Sequence, residues 1–241
     1  MAQHAPPARG ARLGRAAGAN GPAETVSGVV LLLPGASRFS PGPLRPLARA
    51  LARAGGPQGL VAHPVLHGGG SPREEQARWS ADEVVRRYGD VPVCLAGYGA
   101  GGRAALLAAG HEAVGSVLAL APCLPEGPAA ADAPDPVKQL SGRQVLIVHG
   151  TNDARSDPEA SFLLAARAKK ANRSTCRFEV HSDGHGLREH QAEVVALAVD
   201  FVLGSVFSGR YARPLTDALA APPPLGLRMP LASGFGRPPR R

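Results

Sequence analysis

Cysteine is scarce in this chain: there are three in 241 residues, too few for a disulfide framework. Nothing points to an oxidising compartment, and the reading predicts a cytoplasmic protein. No run of 18 apolar residues occurs, which argues against a transmembrane helix. The first 24 residues hold no apolar stretch of the kind that makes a secretory signal. Aromatic residues are 4 % of the chain, and neither they nor the charge form a nucleic-acid-binding signature. The glycines have no period of three, and there is no internal repeat. Lysine is nearly as rare as cysteine: three of the 27 basic residues are lysine (Lys138, Lys169, Lys170) and the other 24 are arginine.

What the chain does have is punctuation. Its 30 glycines and 24 prolines are roughly 22 % of all positions, against a usual share of about 12 %. The formal net charge is +8, and most of it lies at the ends. Residues 1–24 carry a net +2, residues 204–241 a net +5, and the middle a net +1. Both end segments are rich in Ala, Gly, Pro and Arg, so each is expected to be a disordered tail that buries too little to offset the entropy of ordering. A single domain over 25–203 is the expectation.

That middle region alternates. Continuous apolar runs at 26–34, 59–65, 91–97, 114–122 and 143–150, and an alternating stretch at 174–182, read as strands. Amphipathic stretches at 43–55, 71–89, 100–110, 157–171 and 187–204 read as helices. Ser71, Pro72 and Glu74 predict a capped start for the second helix, Asp157 and Pro158 one for the fourth. Strand–helix repetition with uninterrupted strands predicts a three-layer α/β fold, its mostly parallel sheet of about six strands covered on both faces.

The join between strand 91–97 and helix 100–110 reads Gly97-Tyr98-Gly99-Ala100-Gly101-Gly102. Later come Val148-His149-Gly150-Thr151-Asn152-Asp153 and Ser182-Asp183-Gly184-His185-Gly186, each just past a predicted strand. In these motifs and their order the chain resembles the α/β-hydrolases, over most of 25–203. The family's nucleophile elbow is G-x-S-x-G, a sharp strand-to-helix turn. Gly97 and Gly101 match its outer glycines, while Gly99 stands at the serine position. The resemblance implies Asp153 as the acid and His185 as the general base. Ala100 N–H is the implied first oxyanion donor, and Ala36 or Ser37, after strand 26–33, the second. The short Pro/Ala-rich stretch 122–142 leaves no room for a large cap domain, so a substrate pocket is expected to be open and shallow.

Other readings stand beside this one. A Gly-rich strand–helix turn also occurs as an ordinary tight turn or a dinucleotide fingerprint. Against the fingerprint, no acidic residue ends a strand about 20 residues further on. Cys94, inside a strand, reads as a packing residue, whereas Cys123, Ser37, Ser182 and Tyr98 fall near the elbow. The histidines and cysteines show no metal-ligand spacing, so neither metal nor cofactor is expected. The expected partner is a small acyl or ester-type ligand, with nucleic acid and membrane unexpected. Three functions follow: a serine-esterase-like hydrolase impaired by Gly99, a non-catalytic binding protein on that fold, or residual hydrolysis by water activated by His185 and Asp153.

Overall fold

The computed structural model describes residues 10–18, 26–36, 42–127 and 132–236. Six parallel strands form its centre: β3 (Gly28–Leu33), β4 (Leu60–Leu66), β5 (Val93–Tyr98), β6 (Val114–Leu120), β7 (Gln144–Gly150) and β8 (Thr175–Val180). They lie in the order β4-β3-β5-β6-β7-β8. The chain runs outward from β3 to β4, then returns past β3 to β5. The strand order therefore reverses between β3 and β5, and the carboxyl ends of these two strands open the crevice where such sheets place their ligands.

Side chains alternate along each strand, so one strand feeds two cores. Val30 and Leu32 of β3 face one core, packed under α1 (Leu44–Gly55), α5 (Gln191–Leu203) and α6 (Arg213–Ala220). Val29, Leu31 and Leu33 face the other, covered by α2 (Arg73–Tyr88), α3 (Ala100–Ala108) and α4 (Pro158–Ala171). This is the expected three-layer α/β architecture. Residues 191–208 make 18 helical residues with a mean hydropathy of 1.5, long and apolar enough to cross a bilayer. Their apolar face, Val194, Leu197, Ala198, Phe201 and Val202, belongs to the first core.

Local starts and stops differ in detail from the sequence pattern. Asp157 caps α4 by accepting from Glu159 N–H at 2.8 Å. Ser71 makes no cap on α2: Pro72 takes the cap position without a side-chain bond. Gln76 does the fastening instead, donating to Ser71 O at 2.8 Å and Gly68 O at 3.1 Å. The α1 helix ends at Gly55, with Gly56 at its C-cap. A 3-10 turn follows, and Gly59, with φ +84°, makes the break.

The domain extends beyond 25–203 at both ends. Arg12–Leu13 (β1) and Ala17–Gly18 (β2) pair antiparallel with β4. Past Gly204 come a π-helical turn, α6, and Met229–Pro230 (β9), which pairs parallel with β8. A few anchors achieve this among the prolines: Leu215 and Leu227 are fully buried, and Tyr211 stacks on Phe201 with centroids 6.2 Å apart. Buried Lys169 donates to Thr175 O, Ala218 O and Leu219 O at 2.9, 2.9 and 3.2 Å, tying the last turn of α6 to the sheet. Residues 1–9, 19–24 and 237–241 of the expected tails lie outside the described residues.

Candidate functional site

The site grows from the turn between β5 and α3. Gly99 sits there with φ +56° and ψ −121°, a backbone conformation that strains any residue with a Cβ. Its N–H donates to Leu120 O at 3.0 Å, and its O accepts from Cys123 N–H at 3.1 Å, so the turn is clamped to the end of β6. The neighbouring glycines have steric reasons. A Cβ on Gly97 would meet Gly101 O, and one on Gly101 would meet Leu33 O and lie 2.6 Å from Pro34 O. The loop after β3 is thereby pressed against the start of α3.

A Cβ on Gly99 would stand 3.3 Å from His185 Nε2 and 3.6 Å from Cys123 Sγ. His185 Nδ1 in turn lies 2.8 Å from Asp153 Oδ2. A carboxylate only accepts, so Nδ1 carries the proton and Nε2 presents its lone pair to the empty side of Gly99. The structure thus brings together Gly99, Asp153 and His185, which come from three separate loops at the carboxyl ends of β5, β7 and β8.

Asp153 is fully buried and held by more than His185. Its Oδ1 accepts from Arg155 N–H at 2.8 Å and Ser156 N–H at 3.2 Å. Its Oδ2 also meets His149 Nε2 at 3.1 Å. Burial pushes the carboxyl upward, but bonds from His149, the Arg155 N–H and His185 outweigh it and leave the pKa at about 2. His149 Nε2 faces a second acceptor, Ser156 O at 3.2 Å, so it carries the proton, and Nδ1 meets the Ser161 hydroxyl at 2.9 Å. Arg177 Nε donates to the same hydroxyl at 2.9 Å. The Asp153 carboxylate therefore rests on a hydrogen-bonded chain reaching a fully buried arginine. His149 lay inside the Val148–Asp153 motif with no role assigned to it, and nothing in the alternating pattern of 174–182 marks Arg177 as buried.

The loop carrying His185 is fixed as firmly. A Cβ on Gly150 would collide with Asp183 O, so the two loops touch through backbone. Asp183 accepts from Arg188 N–H at 2.9 Å and His190 N–H at 3.0 Å. That loop delays α5, which starts at Gln191 rather than at 187. Among the described residues, three non-glycine positions have positive φ: Ala121, Ser182 and Leu187. All three flank the loops that meet at Gly99.

Ala100 is the first residue of α3, so its N–H has no acceptor within the helix. Ala36 lies in an exposed bend beyond β3, and Ser37 is outside the described residues. Tyr98 is buried, its ring centroid 5.1 Å from that of His185, and so packs beside the imidazole. Ser182 is exposed, bonded through its N–H to Thr151 Oγ1 at 3.0 Å. Cys94 is buried inside β5 with its thiol pushed by burial to about 12. Cys123 is partly exposed, and burial raises its thiol as well. No group of three or more His, Cys, Asp or Glu among the described residues is placed to hold a metal ion.

No family model matches the chain, and no curated protein matches its sequence. Solved structures do match its fold. The Pyrococcus furiosus esterase Pf2001 has a TM-score of 0.63 at 14 % identity, covering 76 % of this chain and 83 % of that one. Est1E from Butyrivibrio proteoclasticus has a TM-score of 0.59 at 16 % identity, covering 76 % and 89 %. XC6422 from Xanthomonas campestris, described as an α/β serine hydrolase without lid, has a TM-score of 0.57 at 15 % identity, covering 78 % and 86 %. The fold is that of the α/β-hydrolases.

Proposed function

We propose that this chain is an esterase-type α/β-hydrolase scaffold that keeps the acid–base pair and has lost serine-dependent turnover, leaving a site that binds a small acyl or ester-type ligand. One observation supports this above the others: His185 Nε2 lies 3.3 Å from the Cβ position of Gly99. In a Ser-His-Asp arrangement the histidine takes the proton of a serine hydroxyl, and the aspartate fixes its tautomer and stabilises the imidazolium. Asp153 and His185 are arranged for both tasks. Glycine supplies no hydroxyl, so the covalent acyl step has no attacking atom on residue 99.

The remaining hydrolytic route is a water polarised by His185 Nε2, with Ala100 N–H stabilising the oxyanion. Such a route gives up the proximity of a fixed nucleophile, and wild-type turnover is expected near background. The test is hydrolysis of an activated ester such as p-nitrophenyl acetate by the wild type and by Gly99→Ser. Turnover in the substituted protein alone supports the reading. Fast turnover by the wild type overturns it, as does a well-folded Gly99→Ser protein that stays inert.

A further inference from the structure

The near-neutral balance of residues 25–203 conceals a segregation. Between 25 and 73 there are five arginines and no Asp or Glu, whereas 74–203 holds 13 basic and 17 acidic residues. Counting from the first residue, Glu24 is the only acid before Glu74. The fold gathers part of this one-signed segment around one space. A cavity of about 950 Å³ lies beside β4 and α1, lined by Arg12, Arg15, Arg45 and Arg73. Arg12 reaches it because β1 pairs with the outer edge of β4, with Arg12 opposite Leu66.

None of these four guanidinium groups has a carboxylate partner among the described residues. Arg73 is partly buried and donates once, to Pro34 O at 3.2 Å, which leaves most of its five N–H donors unused. Burial already works against its charge. His67, on the same wall, donates from Nδ1 to Gln76 Oε1 at 3.0 Å, which leaves its buried Nε2 an acceptor without a hydrogen-bond partner among the described residues. Arg12, Arg15 and Arg45 are exposed and Arg73 is partly buried. Like charges gathered without a counter-charge repel one another, and an anion among the four guanidinium groups relieves that repulsion. The rest of the lining is apolar, with buried Leu32, Leu44 and Ala62.

We propose that this cavity binds a small organic anion, a carboxylate or phosphate group carried on an apolar body. Guanidinium forks match both oxyanions in geometry, and the volume is that of a small-molecule site. The cavity also touches Pro34, Gly35 and Ala36, the loop pressed against the elbow. Under the hydrolase reading, the anion is the part of the ligand remote from the ester, but binding in the cavity does not depend on that reading.

The experiment is calorimetric titration of the full chain with 1-naphthyl phosphate, 1-naphthoate, inorganic phosphate and the neutral 1-naphthol. The two naphthyl anions are expected to bind, with affinity that falls as salt is raised, and their ranking separates phosphate from carboxylate as the preferred group. Naphthol and inorganic phosphate, each lacking half of the recognition, are expected to bind at least about tenfold more weakly. The Arg45→Gln/Arg73→Gln double variant should weaken anion binding by at least about tenfold. Arg213→Gln, at an exposed position on α6, should leave it unchanged. Equal affinity for naphthol, or for inorganic phosphate, overturns the proposal. Unchanged anion affinity in the double variant does so too. No turnover is read, so the result is independent of whether Gly99→Ser hydrolyses an ester.

Discussion

His185 aims its Nε2 at the point, 3.3 Å away, where Gly99 would carry a Cβ. A serine built there would place its hydroxyl within reach of an imidazole already oriented by Asp153 at 2.8 Å. Under the proposed function the site is short of one side chain rather than disassembled, and chemistry and stability are expected to respond in opposite directions when that side chain is supplied.

Gly99→Ser is expected to raise ester turnover by about 100-fold over the wild type, the lower end of what a positioned base contributes. The same substitution should destabilise the fold by about 1–3 kcal/mol, because φ +56° strains a residue with a Cβ. The Cβ also requires His185 to shift by a few tenths of an ångström. Gly99→Ala is the control. It should show a similar loss in urea unfolding with no gain in turnover.

Asp153 makes an acid-sensitive contribution. Its folded pKa of about 2 lies below the ordinary 3.8, so its carboxylate stabilises the native state above the ordinary value. That stabilisation is lost as pH falls through about 2. Asp153→Asn should lower stability at neutral pH and flatten the acid side of the stability–pH curve. In the Gly99→Ser background it should return turnover to the wild-type baseline, since the histidine loses its orienting partner.

Among the three thiols, only Cys123 is accessible. Cys94 and Cys176 are fully buried, with pKa values pushed to about 12 by burial. Iodoacetamide should label Cys123 first, as read by peptide mass spectrometry, and slowly near neutral pH because burial raises that thiol too. Labelling should block Gly99→Ser turnover, since Sγ lies 3.6 Å from the Gly99 Cβ position. Labelling without loss of turnover would show that this thiol points away from the reacting centre.

Lys169 tests whether the region after Gly204 is part of the domain. Lys169→Met removes three hydrogen bonds to carbonyls, two of them on α6. Leaving buried acceptors unsatisfied should cost about 1–3 kcal/mol. Hydrogen exchange should rise first in 213–220. An unchanged exchange pattern would mean that α6 is held by its apolar anchors alone.

The six central strands and five of the helices were legible because each is a local periodic signal. A β-branched run closed by Pro or Gly, or a stripe of Leu44, Leu47 and Leu51, needs no knowledge of what packs against it. The elbow was legible for a similar reason, since Gly97 and Gly101 sit where any side chain meets backbone. The segment after 203 hid its structure. Its anchors, Tyr211, Leu215 and Leu227, are too widely spaced among prolines to make a periodic pattern, and only partners from α4, α5 and β8 give them something to bury against.

From the sequence alone came the layered α/β plan, which follows from residue type and local pattern, and, through the resemblance to the α/β-hydrolases, the expected order Gly99, Asp153, His185 with glycine at the first position. Tertiary structure decided the rest. It set the distance from His185 to the vacant Cβ position and the shared hold of His149 and His185 on Asp153. It also gathered four arginines from β1, the segment after it, α1 and α2 around one cavity. Each of these depends on where separate loops and edges meet in space, which is set by the packing of the sheet and not by any stretch of chain read by itself.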